Sequence, residues 1–371
     1  MKKIVIVGAG ISGLYLANLL EKNNNYEYKI FEKRSNIDLL DGYGIQLSVN
    51  GVKLLNKIGF KQMAIQDVFY PRNINFYEAK NCDLISNINI SKFNENGNYY
   101  TTLKRSKLIE FLLKNIPSEK IVFNSNIENI EHDSQIKINL KDKKSEEANY
   151  LVISDGVFSK TKNFVLKKPP VVNFYKSVAL RGSLKNQKNE DISVYLGPNF
   201  HFVVYPVNQN KDFNFISIIR FNNLEEFKNC NNKLKNEILH KITSKTSYIF
   251  DNNLENVSLY PIYVSSNFLT PDNKNIFISG DALFAFPPSL AQGASQSIES
   301  AFEIFNNLQN NSNGYYEKRK IKIKKINYRS KLNHFAFHVS NPLTICFRNI
   351  SLKYMSKNNK FLENYLGKIY R

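Results

Sequence analysis

Lys3-Ile4-Val5-Ile6-Val7-Gly8-Ala9-Gly10-Ile11-Ser12-Gly13 stands almost at the start of the chain, and its reading decides the fold. KIVIV has the composition of a short buried strand, and Leu14, Ala17 and Leu20 then recur at helical spacing. Between them lies G-x-G-x-x-G, which acquires meaning only in such a strand–turn–helix setting. Gly8 permits the tight turn, Gly10 lets the backbone approach a pyrophosphate, and Gly13 lets helix and strand pack closely. The amides that open the helix, at Ile11 and Ser12, would face the phosphates at its positive end. A second strand, Tyr28 to Phe31, runs into Glu32, nineteen positions after Gly13, with Lys33 beside it. An acid there suits an adenosine ribose hydroxyl. The opening therefore reads as a dinucleotide site.

Working outward, 371 residues suggest about two domains, and 42% hydrophobic with 22% charged residues is the balance of an ordinary globular protein. No apolar run is long enough to span a bilayer. Lys2 and Lys3 before apolar residues imitate a secretory signal, but the glycine turn explains the same residues better. Cys82, Cys230 and Cys346 lack metal-ligand spacing, so no metal site is expected and a reducing cytoplasm is. The net charge of +19 accompanies a general Asn, Lys and Ile bias. Its densest cluster, Lys318 to Lys331, is basic at eight of fourteen positions and reads first as a solvated helix face. Peripheral contact with the inner face of a membrane is the second reading, and nucleic acid is not expected because no such module is recognisable. The aromatic tail, Phe335, Phe337 and Phe347, is expected to pack against the nucleotide domain.

The pattern predicts an α/β fold: a discontinuous Rossmann-like domain, an inserted β-rich domain and a helical C-terminal segment. The expected divisions are 1–75, 101–168 and 269–312 for the first, 76–100 and 169–268 for the second, and 313–371 for the third. A glycine-bearing loop, Asp41 to Ile45, follows the first βαβ unit, and one helix is expected near Leu224 to Lys245. Two further strands end in acids: Tyr150 to Ser154 before Asp155-Gly156, and Asn275 to Ser279 before Gly280-Asp281. Strand-end acids at sheet tips are where an extended cofactor finds polar contacts.

Taken in order, GAGISG with Glu32, GYGIQLSVNG at 42–51, Arg105 with Leu108, DGVFS at 155–159, FHFVVYPV at 200–207 and GDALFAFPPSLAQGASQSIESA at 280–301 form a recognisable series, completed by YEKRK at 316–320. The chain resembles a flavin-dependent aromatic monooxygenase of the para-hydroxybenzoate hydroxylase class, in its salicylate-hydroxylase-like branch. The resemblance implies FAD as cofactor and NADH or NADPH as reductant. It assigns Gly8, Gly10, Gly13 and Glu32 to the ADP half, Arg105 to the pyrophosphate or ribityl region, and Asp281, after Gly280, to the ribityl chain. Asp155 is implied in flavin or nicotinamide contact. Gly44, Ile45, Pro288, Gly293 and Ala294 would lie along the flavin. Two positions depart from the family pattern: Phe284 where His is common, and Lys162 where Arg is usual.

The implied chemistry is hydride transfer to FAD, capture of O2 as a flavin peroxide and delivery of one oxygen atom to a small aromatic or phenolic substrate. A base would assist a phenol; His201 and Tyr205, four apart on a strand, share a face and are the candidates. Arg181 and Arg220 are candidates for a substrate carboxylate. The alternative on the same scaffold is a reductase or dehydrogenase that inserts no oxygen, with a prenylated phenol among its conceivable substrates.

Overall fold

The computed structural model describes residues 1–39, 43–133, 135–185, 189–222, 254–310 and 312–371, together with 224, 225, 233, 236, 237 and 240. Asp41, Gly42, Cys230 and most of the helix expected at 224–245 lie outside the described residues.

Runs of Val and Ile without polar alternation suit parallel strands covered on both faces. Five such strands stand side by side in the order Ile276–Ile278, Tyr150–Ile153, Lys2–Val7, Tyr26–Phe31 and Ile121–Val122, every pair parallel. Ile4, Val5, Ile6, Leu151 and Ile276 are fully buried in this sheet. The helix Ile11–Glu21 packs on it, and the helix Gly293–Asn310 joins through Ser12, whose Oγ donates to the Ser297 carbonyl (3.1 Å). The first and last cofactor segments expected from the sequence thus belong to one layer.

The second body is a seven-stranded sheet in the order Glu255–Ser265, Val172–Lys185, Asp212–Arg220, Phe200–Pro206, Ile192–Gly197, Asn73–Glu78 and Leu84–Asn89. The strand Asn73–Glu78 belongs wholly to it and runs across the boundary expected at 75. Side chains alternate along strands, so register fixes which residues share a face. Arg181 pairs with Ile216, Ile216 with Val203, Tyr205 with Asn214, and Arg220 with Ser177. His201, Tyr205, Asn214, Arg181 and Arg220 therefore stand on one face.

The C-terminal segment is helical, as expected: Tyr315–Phe337, then Asn341 capping Pro342–Met355 through its side chain. Within the basic cluster one residue is not solvated: Arg319 is 1% exposed and binds Glu299 (2.9 Å) and Gln296 (2.7 Å). Phe337 is buried against Phe76 and His201 of the large sheet, where packing on the nucleotide domain was expected. Phe335 and Phe347 remain 61% and 69% exposed. Among the described residues no helix is long and apolar enough to cross a membrane.

Under the helix Tyr315–Phe337, three histidines meet. His201 Nδ1 lies 3.4 Å from His338 Nε2, and His334 Nε2 lies 3.3 Å from Ser177 Oγ. Burial holds all three imidazoles below their ordinary range, His334 at about 3, and Arg220 opposes charge on His334 and His338. An unfolded chain would protonate these residues below about pH 6.5 while the folded chain resists, so their contribution is fully present above that pH and is lost progressively as pH falls from there towards the lowered folded-state values. Urea unfolding is expected to show a falling midpoint between pH 7.5 and 5, with a slope that His334→Asn reduces.

Candidate active site

The glycine turn is built by steric necessity at two of its three glycines. Gly8 has φ +102°, and a Cβ there would lie 2.6 Å from the Ser154 carbonyl oxygen. On Gly13 a Cβ would come within 2.2 Å of the Gly8 carbonyl oxygen. Gly10 differs: the nearest protein atom to its Cβ would be 3.9 Å away. No protein atom demands glycine there, which leaves that stretch of backbone open to a ligand. Glu32, at the tip of the neighbouring strand, accepts from the Ala9 amide through Oε2 (2.9 Å) and from the Arg34 amide through Oε1 (3.0 Å). Two amides hold the carboxylate against the turn, and each oxygen keeps a further lone pair for a hydroxyl. Lys33 beside it is exposed.

Ser12 Oγ lies 2.5 Å from Ser279 Oγ, bringing the turn against Gly280-Asp281. Gly280 has φ +60°, a left-handed conformation that turns the chain sharply before Asp281. Asp281 presents exposed surface, yet its carboxyl is pushed up to about 6 by loss of surrounding water, with Lys162 opposing. Both observations hold for a carboxylate on the floor of an open recess, whose walls include Leu283, Phe284, Phe286 and Gly293. Lys162 is 3% exposed, donates from Nζ to the Ala282 carbonyl (3.1 Å), and is depressed by burial against the pull of Asp155 and Asp281. It therefore sits between the two strand-end acids, where a planar fork would have been expected. Asp155 accepts from Thr161 Oγ1 through Oδ2 (2.8 Å), while its Oδ1 is buried without a partner. Phe284 fills the other departing position as buried aromatic, 5.3 Å from the Phe286 ring.

The helix Gly293–Asn310 opens beside this recess, after Pro288 and the left-handed Ala291. Gly293 is exposed and a Cβ there would meet nothing within 4 Å; Ala294 follows half-buried. The helix end is anchored from behind by buried polar groups. Gln292 Nε2 donates to Ser48 Oγ (3.0 Å), Ser48 N to Ser295 Oγ (3.1 Å), and Asn50 Nδ2 to Glu299 (2.7 Å). Arg319 closes the network on Glu299 and Gln296. The first-turn amides are left to face outward, carrying the positive end of the helix.

Gly44 and Ile45 form the edge of a small sheet, pairing with Lys104 and Leu103. The Gly44 amide donates to Asn214 Oδ1 (2.6 Å), and a Cβ on Gly44 would strike both Asn214 and Val207. This contact joins the nucleotide domain to the working face of the large sheet. Arg105 opens the next helix, its amide bonded to the Tyr43 carbonyl (2.7 Å). Beside Gly44, the Arg181 guanidinium lies over the rings of Tyr43 (5.4 Å) and Tyr260 (5.6 Å), whose hydroxyls are hydrogen-bonded to each other. Arg181 Nε is buried without a partner. Tyr205 is 3% exposed, and burial raises its phenol, opposed by Arg181 and a hydrogen bond from Gln46. The register places Arg181, Tyr205 and Asn214 towards Gly44. His201 and Arg220 lie at the other end of the same face, His201 beneath the C-terminal helix.

The glycine cradles at Gly10 and Gly293, the unsatisfied Asp155 Oδ1 and the recessed Asp281 fit an extended cofactor with hydroxyl groups along its length. Asn214 and Lys162 received no role from sequence. An Asn within the largely apolar strand Phe213 to Ile219, where Ser217 is the other polar residue, was the available signal for the first.

Comparison with known proteins agrees. A family model described as FAD binding domain matches residues 1–322. An FAD-dependent monooxygenase from Aspergillus terreus is 20% identical over 335 residues, 82% of this chain and 69% of its own length. A 3-amino-4-hydroxybenzoate 2-monooxygenase from Streptomyces cremeus is 23% identical over 312 residues, 80% of this chain and 76% of its own. Two further FAD-dependent monooxygenases are matched over only 37% and 35% of their lengths. Among solved structures, Klebsiella pneumoniae HpxO with FAD and uric acid superposes with a TM-score of 0.84 at 16% identity, covering 100% of this chain and 96% of that one. A salicylate hydroxylase substrate complex gives 0.75 at 17% identity, covering 100% and 97%. These structural likenesses carry the fold.

The glycines separate folding from binding. Gly13→Ala is expected to destabilise the chain, since its Cβ would meet backbone. Gly10→Ala is expected to fold normally and to lose flavin, read from the 450 nm to 280 nm absorbance ratio. Asp281→Ala is expected to weaken flavin retention by roughly tenfold or more, the scale of one hydrogen bond to a charged group.

Proposed function

This chain belongs to the FAD-binding family, as a flavin-dependent aromatic monooxygenase, and from that premise we propose that Arg181 selects an anionic aromatic substrate on the Gly44 side of the large sheet. The observation that carries the reading is a guanidinium held between two tyrosine rings, with a buried Nε that has no partner. A cation so placed is desolvated, oriented and ready for a carboxylate or phenolate oxygen. Arg220 is exposed at the far end of the sheet, so Arg181 is the better placed of the two arginines.

Bound FAD, reduced by NADH or NADPH, supplies the activation of O2 and the delivery of one oxygen atom to the ring. The chain's own groups do the rest. Glu32, with the Gly8–Gly13 turn, and Asp281, with Asp155 and Lys162, would hold the cofactor's length. Arg105 and Gly44-Ile45 would border its middle, and Pro288, Gly293 and Ala294 would border the ring system. The positive end of Gly293–Asn310 favours negative charge at that end. Arg181 fixes the substrate anion and Asn214 braces the wall against Gly44. Tyr205, with its phenol raised by burial, stays protonated at neutral pH and acts as a hydrogen-bond donor rather than a base. His201 is kept neutral under the helix and supports the wall. The proposed division of the chain keeps the boundaries expected from sequence, with the first moved to residue 72 so that Asn73–Glu78 stays with its sheet.

Stimulation of NADH or NADPH oxidation by hydroxybenzoates, with a matching hydroxylated product, is the expected activity. Arg181→Gln is expected to raise KM for carboxylate-bearing substrates by about tenfold to a hundredfold, with kcat less affected and neutral phenols little changed. Equal loss with charged and neutral substrates would remove the anion-binding role.

A further inference from the structure

The helix Pro342–Met355 turns apolar side chains outward. Leu343, Phe347, Ile350 and Tyr354 recur at i, i+4, i+7 and i+11, one helical stripe, and are 72%, 69%, 60% and 72% exposed. Its other side does the packing: Leu352 lies against the strand Leu84–Asn89, and Arg348 is buried. The preceding helix repeats the arrangement. Ile321, Tyr328, Leu332 and Phe335, at i, i+7, i+11 and i+14, are all exposed. Lys320, Lys324 and Lys331 are exposed beside them, as are Lys353 and Lys357 beside the second stripe. From Lys318 to Leu362 the chain carries twelve Lys or Arg and no Asp or Glu.

We propose that these two helices are a docking surface for an anionic lipid bilayer, entered by the outward stripes and held by the flanking lysines. Isolated exposed apolar residues are common on proteins, but two phased stripes of four are not a scatter. A stripe of Leu, Ile, Phe and Tyr flanked by lysine is the pattern of a helix lying in a membrane interface. Charge decides the occupant. A second copy of the chain meeting this face about a two-fold axis would bring its own acid-free basic segment against the first, like charge against like. Anionic headgroups neutralise those lysines while the acyl boundary takes the aromatic and aliphatic side chains. The recess is lined from the helix Tyr315–Phe337 by Arg319 and Ile323 and by none of the stripe residues, so docking and catalysis use different side chains.

Flotation of the whole 371-residue chain with phosphatidylserine–phosphatidylcholine vesicles, compared with phosphatidylcholine alone, tests this. The expected result is binding to the anionic vesicles that falls about tenfold or more in Phe347→Ser/Ile350→Ser and in Lys353→Glu/Lys357→Glu, and that weakens with added salt. Flavin content and circular dichroism of the variants, expected to be unchanged, report that folding is intact. No association with anionic vesicles would overturn the proposal. So would concentration-dependent dimerisation of the parent, measured by sedimentation, that Phe347→Ser/Ile350→Ser abolishes, since a second copy would then own the surface.

Discussion

The distance between the first turn and the end of the strand Tyr150–Ile153 governs the rest of the molecule. Ser154 N donates to the Val7 carbonyl at 2.8 Å, and Ser154 Oγ lies 3.0 and 3.1 Å from the Val7 and Gly8 carbonyl oxygens. No Cβ fits at Gly8 or Gly13 within that spacing. The close approach places Asp155 beside the turn and, through Ser12 and Ser279, Asp281 as well. Three acids at strand ends, Glu32, Asp155 and Asp281, thereby converge although they are spread over 250 residues. They form a polar track along the tips of the sheet, the one to which the proposal assigns the cofactor.

Convergence of carboxylates has an electrostatic cost that the structure offsets in different ways. Glu32 is satisfied by two amides. Asp155 and Asp281 share the influence of Lys162, which is itself desolvated and tethered to a carbonyl. A lysine there supplies charge without the two-pronged geometry of a guanidinium, leaving Asp155 Oδ1 without a partner. Behind the helix Gly293–Asn310, the Ser48, Asn50, Gln292, Glu299 and Arg319 network pairs buried polar groups with one another. Arg319 Nε is the exception. Such a network leaves the helix little freedom to rotate, and its first-turn amides keep one direction.

Much of the nucleotide domain was legible because its signals are local. Strand, turn, helix and strand-end acid follow one another within about thirty residues, and each has a steric or dipolar reason. The order of the later motifs carried the family. What was not legible depends on packing between distant segments. Nothing in KRKIKIKKINYRSK marks Arg319 as the buried member of a basic run, because its partners lie on another helix. The tyrosine cage around Arg181 joins residues 43, 181 and 260, which no periodicity relates. His201 had the right spacing to Tyr205 and does share its face, yet the same sheet meets the flavin domain at one end and the C-terminal helix at the other. Alternation reveals the face and is silent on what covers each part of it.

Ser12 finds its partners 267 and 285 residues later, at Ser279 and Ser297. A ribosome adding about 5–20 residues per second needs on the order of fifteen to sixty seconds to supply them. Throughout that interval the apolar underside of the first helix has no Gly293–Asn310 to lie against. The nascent nucleotide domain is therefore a half-built layer that waits while the whole β-rich insertion is made. Its closure is a late, long-range event, and contacts of this separation are the kind that slow folding and leave apolar surface open to other chains. One serine hydroxyl thus ties the end of the cofactor domain's assembly to its beginning.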